Sequence, residues 1–549
     1  MNGLMMDRPL LIKSVIEFAA QFHSDAEIVS RSVEGPIHRY TYGDSYVRIK
    51  KLANALLALG VQPGDRVATL AWNTWRHFEI YYAVAGIGAV CHTINPRLSA
   101  EQKRYIINHA EDKLLFFDVG FTDDVMELVD GSPSLSRLIV MTDSSNMPKS
   151  HAGTLGCYED IIAPSSEIFD WPEFDENTAS SMCYTSGTTG NPKGVLYSHR
   201  AIVLHTYATC MSGSLPVTIR DTMLQVVPMF HVNAWGAPYT APVAGAKLVL
   251  PGDKMDGASL FQLMDEEEVT FTLGVPTVWM GLLSYMKEMG RKPRALERVL
   301  VGGAAVSEAM IDEFELDYGI DVSHAWGMTE MTPLGVVNTL KPKFDSLPRD
   351  QKMAQKLKQG RVVYGVDMRI VDDDGCVLAN DGVTSGHLQV RGPWIIKEYY
   401  KGEEPALTED GWFDTGDVAT LDTDGYMHIT DRSKDVIKSG GEWISSVILE
   451  NAAMGHPDIA HAAVIGIAHP RWQERPLLVC VTDGDTRPTL DNINEYLISK
   501  VPKWWLPDCV EFVDKLPLGA TGKVLKSELR KRFEGKKLVM TTTATKSPS

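Results

Sequence analysis

Tyr184-Thr-Ser-Gly-Thr-Thr-Gly-Asn-Pro-Lys-Gly-Val195 follows the apolar segment Ala179–Tyr184 and runs into Leu196-Tyr-Ser-His199. Gly187, Gly190 and Gly194 let the backbone approach an anion closely. Ser186, Thr188 and Thr189 add hydroxyl donors, and Lys193 adds a positive charge. Such a loop suits the β- and γ-phosphates of a nucleotide. It is not a Walker loop, because no Gly-x-x-x-x-Gly-Lys-[Ser/Thr] occurs. A polar surface loop is the plainer reading, and the ordered combination of glycines, hydroxyls and a lysine speaks against it.

Working outward, short β-rich runs alternate with helical stretches up to about residue 340. Leu114–Asp118, Arg137–Asp143, Leu224–Val227, Lys247–Leu250, Thr270–Leu273 and Arg298–Val301 read as buried strands. Tyr46–Gly60 and Leu260–Glu268 carry helical spacing. That alternation predicts parallel sheets flanked by helices. The acidic run Asp265 to Glu268 reads as a solvated helix face rather than a metal site. Over about 366–430 the texture changes to antiparallel strands with Gly-Asp turns, predicting a β-barrel-like part. Asp422-Thr-Asp-Gly425 mimics the start of a calcium loop, but its twelfth position is Ser433, so a hairpin turn is the better reading. A smaller α/β unit follows, with strands near Ala462–Ile467 and Leu477–Val481 and helices near Leu490–Lys500 and Val524–Phe533. The tail after Lys537 is polar and reads as disordered.

The 549 residues exceed one hydrophobic core. A formal charge of −18 argues against general nucleic-acid binding, although a nucleotide needs only a local cradle. The seven cysteines stand singly with no Cys-x-x-Cys pair, which fits a reducing compartment better than a disulfide framework or zinc site. Asp7, Lys13 and Glu17 interrupt the N-terminal apolar residues, so no signal peptide is read there. The uncharged run Met223 to Ala246 contains Pro228, Pro238 and Pro242 and reads as buried strand and loop rather than a membrane span. A cytoplasmic protein is expected.

Further motifs follow in one order: Pro228-Met-Phe-His231, Gly302-Gly-Ala-Ala305, Trp326-Gly-Met-Thr-Glu330, Gly411-Trp-Phe-Asp-Thr-Gly-Asp417, Asp431-Arg-Ser-Lys-Asp435, Gly440-Gly-Glu442 and Thr521-Gly-Lys523. With the glycine-rich loop they resemble the adenylate-forming superfamily of acyl-CoA synthetases, firefly-type luciferases and peptide-synthetase adenylation domains, over nearly the whole chain. The resemblance implies a mixed α/β fold. A large N-terminal domain, 1–433, would comprise two α/β sheets and the β-barrel-like part, with a small mobile C-terminal α/β domain at 434–549. It implies ATP, Mg²⁺ and coenzyme A as cofactors and a carboxylic acid as the other partner, with a homodimer common among relatives.

The same resemblance assigns roles. Thr185, Ser186, Gly187, Thr188, Thr189, Gly190 and Lys193 would hold the ATP phosphates, and Thr329 the α-phosphate. Glu330 with Thr185 would hold Mg²⁺ through oxygen ligands. Gly303, Ala304, Ala305, Trp326, Gly327 and Met328 would flank the adenine, with Trp326 replacing the more frequent tyrosine. Asp417, helped by Arg432, would accept both ribose hydroxyls; a buried ion pair is the alternative for Asp417. His231, Trp235, Gly302, Gly303, Met328 and Pro333 would wall the acyl pocket, with a core histidine and a core tryptophan as the plainer readings of His231 and Trp235. Lys523 would be the catalytic lysine. Lys434 would be the pivot on which the small domain turns between half-reactions. Lys438, Gly440, Gly441, Glu442, Trp443 and Glu474 would line the pantetheine tunnel. Arg471-Trp-Gln-Glu-Arg475 departs from the usual Gly-Glu pair, which leaves Glu474 less defined. The basic residues between Lys341 and Arg361 read as a solvated helix face, with coenzyme A phosphates as the alternative.

Among superfamily members, a luciferase would share the adenylation motifs, but the chain ends Lys-Ser-Pro-Ser rather than Ser-Lys-Leu. No carrier domain or attachment serine is visible, and Lys523 and Glu330 are both retained. Pro228–Gly236 carries a nearer likeness to the branch of medium-chain acyl-CoA synthetases and 3-methylmercaptopropionate-CoA ligases.

Overall fold

The computed structural model describes residues 1, 3–149, 154–185, 191–211, 213–439, 442–482, 484, 486–519 and 524–534. Two compact units account for the chain. One holds Met1–Met368 with Gln389–Asp414 and Thr423–Met427; the other holds Arg369–Leu388, Thr415–Asp422 and His428–Ser549. The second unit thus takes in two segments upstream of residue 433 as well as the chain beyond it.

The larger unit contains two sheets. In one, the strands run in the order Gly156–Cys157, Arg137–Val140, Leu114–Phe117, Arg66–Leu70, Val90–Thr93, Ala179–Tyr184 and Gly194–Ser198, parallel up to the last antiparallel pair. In the other, parallel strands run from Asp321–Gly327 through Arg298–Val301, Phe271–Gly274, Thr222–Gln225 and Lys247–Leu250 to Glu27–Arg31. Antiparallel strands finish both ends of that run. The short runs of Val, Ile and Leu suit strands covered on both faces. Val29, Leu224, Val249, Val299 and Val322 line one such face against the helices Gly257–Glu266 and Pro276–Met289.

Local chemistry sets the ends of the elements. The helix expected from Tyr46 begins at Tyr42, because Thr41 accepts the Asp44 amide and the Asp44 carboxylate accepts the Thr41 amide. The run Met223 to Ala246 is not wholly strand and loop. It contains the helix Ala237–Ala244, with Pro238 in the first turn, where its missing N–H costs nothing. Among the described residues no helix is long and apolar enough to cross a membrane, and all seven cysteines are free thiols.

In the smaller unit, Ile459–His469 and Gln473–Thr482 form an antiparallel hairpin, with Cys509–Phe512 parallel to its second strand. Val464 faces one buried cluster and Ile465 the other, so both faces of the hairpin are covered. The helices Ser446–Met454 and Leu490–Leu497 fill the first face, and Lys526–Arg532 sits on the second. Lys526 pairs with Glu450 at 2.7 Å and donates to Ser446 Oγ at 2.6 Å, and Ser446 binds the fully buried Asp431. Burial pushes the Glu450 and Asp431 carboxyls up, and the Lys526 ammonium opposes that shift. Removing the cation in Lys526→Met should destabilise this unit by about 3 kcal/mol. Urea unfolding followed by Trp fluorescence would read this as a lowered midpoint, and an unchanged midpoint would count against the pairing.

Candidate active site

The expected site residues fall on both units, and each half has its own geometry. In the larger unit, Thr185 and Lys193 close the base of the glycine-rich loop. The Thr185 amide donates to the Lys193 carbonyl at 2.9 Å, and the Lys193 amide donates to Thr185 Oγ1 at 3.2 Å. Ser186, Gly187, Thr188, Thr189 and Gly190 lie outside the described residues. The Lys193 ammonium lies 4.7 Å over the Tyr399 ring, and the Tyr399 hydroxyl donates to Glu330 Oε1 at 2.8 Å. Burial, then the Glu330 charge, raises the Tyr399 phenol well above its ordinary range, so it stays a donor. The segment carrying Tyr399 is itself docked on the loop, through the Tyr400 amide to the Gly194 carbonyl at 2.9 Å. Thr329 and Glu330 are buried, and the Tyr197 hydroxyl fixes the Thr329 carbonyl at 2.7 Å.

Gly303 and Ala304 are exposed at the end of the strand Arg298–Val301, where parallel sheets bind ligands. The Ala304 carbonyl lies 3.3 Å from Nε2 of the buried His324. Trp326 is buried with its ring against Gly335, and the Met328 amide donates to the Pro333 carbonyl at 3.1 Å. His231 is half-buried. Trp235 packs against the glycine pair: a Cβ on Gly302 would stand 2.7 Å from the indole, and one on Gly303 3.7 Å. No larger residue fits at 302 with the indole in place.

The chain reaches that position through an unusual backbone. Val232, Asn233, Ala234 and Trp235 all have positive φ, between 46° and 55°, and Gly236 follows at 82°. Left-handed geometry costs a non-glycine residue about 1–2 kcal/mol. Four in succession therefore need strong support from their surroundings.

In the smaller unit, Arg432 Nε pairs with Asp417 at 2.9 Å, and Asp417 is 2 % exposed. The ion pair named as the alternative for Asp417 is therefore present, and it is made with the residue expected to assist it. Pairing of Ile437–Ser439 with Glu442–Ile444 sets Lys438 opposite Trp443, 5.9 Å from ammonium to ring. The Lys438 amide donates to Glu474 Oε2 at 3.0 Å. Gln473 has φ of 68°, which gives a physical reason for the glycine more usual at that position. Gly440, Gly441, the Glu442 side chain and Lys523 lie outside the described residues. Of the basic cluster, Lys341 pairs with Asp424 at 3.0 Å and Lys356 with Glu315 and Asp321, a local use that leaves less for a ligand.

Sequence reasoning missed Tyr399, His324, Asn233 and His205. Tyr399 carried one faint signal, an aromatic pair at 399–400 shortly after Arg391-Gly-Pro. His324 had none beyond its place two residues before Trp326.

A phosphate-loop base, a buried carboxylate beside it and an Asp–Arg pair are the parts of a nucleotide-dependent enzyme. The chain belongs to the AMP-binding enzyme family, the adenylate-forming acyl-CoA synthetases: that family's model matches residues 16–400 and the model of its C-terminal domain matches 449–523. The 3-methylmercaptopropionyl-CoA ligase of Ruegeria lacuscaerulensis is 50% identical over 97% of this chain and 99% of its own length. The medium-chain-fatty-acid–CoA ligase of Ectopseudomonas oleovorans is 49% identical over 97% and 98%. The crystal structure of the anthranilate CoA ligase AuaEII with anthranoyl-AMP matches the fold with a TM-score of 0.85 at 22% identity, over 96% of this chain and 98% of that one.

Proposed function

We propose that this chain activates a short carboxylic acid, 3-methylthiopropionate being the best match, and transfers the acyl group to coenzyme A. The acid's carboxylate attacks the α-phosphorus of ATP, giving an acyl-adenylate and pyrophosphate. The thiolate of coenzyme A then attacks the acyl carbonyl, giving the thioester and AMP. Near-equal identity to a 3-methylmercaptopropionyl-CoA ligase and to a medium-chain ligase does not choose between acids. The observation that carries the choice is the indole of Trp235 against Gly302 and Gly303. An aromatic wall there shortens the pocket, and a thioether packs well against such a ring. A medium-chain fatty acid is the second reading, on the likeness to the Ectopseudomonas enzyme.

The remaining assignments belong to the same proposal. Thr185, Lys193 and Thr329 would hold phosphates, Asp417 and Arg432 the ribose, and Lys438, Gly440, Gly441, Glu442, Trp443 and Glu474 the pantetheine arm, with Lys434 as pivot of a mobile domain at 434–549. Magnesium would arrive with ATP. Glu330 offers carboxylate oxygens and Thr185 a hydroxyl, the hard donors Mg²⁺ takes alongside phosphate oxygens and water. The free thiols fit a cytoplasmic enzyme, and a homodimer is the assembly the resemblance implies.

Trp235→Ala tests the pocket. Each surplus methylene that finds no space should cost more than the ~0.8 kcal/mol its burial returns. The variant's kcat/KM should therefore move about tenfold or more from 3-methylthiopropionate toward octanoate, with KM for ATP unchanged. A wild type that prefers palmitate, or a variant with the parental length profile, would defeat the assignment.

A further inference from the structure

We infer that Asn233 is a positioning residue for acid selection: its buried carboxamide holds the left-handed turn that keeps the Trp235 indole on the acyl wall. This rests on the pocket reading above. Of the five residues Val232 to Gly236, Asn233 is the one with a polar side chain besides the indole itself. It is 1% exposed, and its Nδ2 donates to Ser181 Oγ at 3.0 Å. Its Oδ1 lies 3.9 Å from Cys183 Sγ, which in turn lies 3.2 Å from Thr93 Oγ1. Ser181 and Cys183 share one face of the strand Ala179–Tyr184, so the turn is tied at its centre to the middle of a sheet.

The ends of the turn are held separately. Before it, the Met229 amide donates to Asn73 Oδ1 at 2.7 Å and the Met229 carbonyl accepts from the Tyr81 hydroxyl. After it, Gly236 packs on His205, where a Cβ would stand 2.8 Å from the ring. Burial lowers the His205 pKa to about 3, so that ring is a neutral packing surface. With both ends fixed, the strained centre would relax by swinging Trp235 off Gly302 unless Asn233 kept its bond to Ser181. Asparagine also tolerates left-handed geometry for its own sake, and the test must separate that tolerance from the hydrogen bond.

Asn233→Gly keeps the backbone tolerance and removes the bond, and Asn233→Ala removes both. Both variants and Trp235→Ala are assayed for kcat/KM on acids from propionate to decanoate, for KM for ATP, and for Tm. The expected result is that both Asn233 variants shift the ratio of octanoate to 3-methylthiopropionate upward by about tenfold, the value of one buried hydrogen bond. KM for ATP stays at the wild-type value. A wild-type length profile in Asn233→Gly overturns the inference, as does an equal loss for every acid and for ATP. If Trp235→Ala alone shifts the profile, the pocket reading stands without Asn233; if no variant shifts it, both fall.

Discussion

Lys523→Ala is expected to slow acyl-adenylate formation about a thousandfold while leaving thioester formation from pre-made acyl-adenylate within a few-fold of wild type. The first half-reaction brings a carboxylate against a phosphate, both anionic at neutral pH, and no general base is needed because the carboxylate is already deprotonated. Two such charges about 4 Å apart repel by roughly 4 kcal/mol at an effective dielectric near 20, which corresponds to about a thousandfold in rate. An ammonium between them removes that repulsion and meets the charge that develops in the transition state. The second half-reaction has a neutral acyl carbonyl as its target and loses no such contact. Pyrophosphate release with acid and ATP, and thioester appearance from synthetic acyl-adenylate, measure the two steps separately. Equal losses in both would remove the role assigned to Lys523.

How far the sequence could be read depended on the range of the interactions. Strands such as Lys247–Leu250 and Arg298–Val301 were legible to the residue, because a basic residue followed by three consecutive branched apolar ones leaves little choice. Thr185, Lys193, Glu330, Asp417 and Arg432 announced themselves through ordered motifs. The left-handed turn at Val232–Trp235 left no such trace. Valine, alanine and tryptophan are poor residues for positive φ, so local preference points away from what the strand at Ser181 and the packing on Gly302 enforce. Tyr399 was hidden for a related reason. It contributes a hydroxyl to Glu330 from 69 residues away, a separation no periodicity reports. Gln473 shows the reverse case: the departure from glycine was plain in the sequence, and the positive φ that makes glycine the usual residue there needed the structure.

Lys434→Pro is expected to preserve adenylation within about threefold and to cut thioester formation about a hundredfold. The residue lies in the turn between Tyr426–Arg432 and Ile437–Ser439, where the Arg432 carbonyl accepts the amides of Asp435 at 2.8 Å and Val436 at 2.9 Å. Its own carbonyl accepts from Arg530 Nη2 at 3.2 Å, and Arg530 also pairs with Asp435 at 2.6 Å. Residues from 434 onward are thus bound to the helix Lys526–Arg532, while Ser433 donates to the Gly416 carbonyl at 3.0 Å. On the proposed pivot, a change of φ at 434 would carry the first set, and the bonds that join it to Thr430, Asp431 and Arg432 would have to open. Lys434 is not among the positive-φ residues. Proline fixes φ near −65° and also restricts Ser433 before it, which would hinder a large rotation at this point. The chain would remain folded and able to complete one half-reaction without reaching the other. Rapid-quench measurement should show acyl-adenylate accumulating in Lys434→Pro with coenzyme A present, where wild type consumes it. Unchanged turnover with coenzyme A would place the pivot elsewhere.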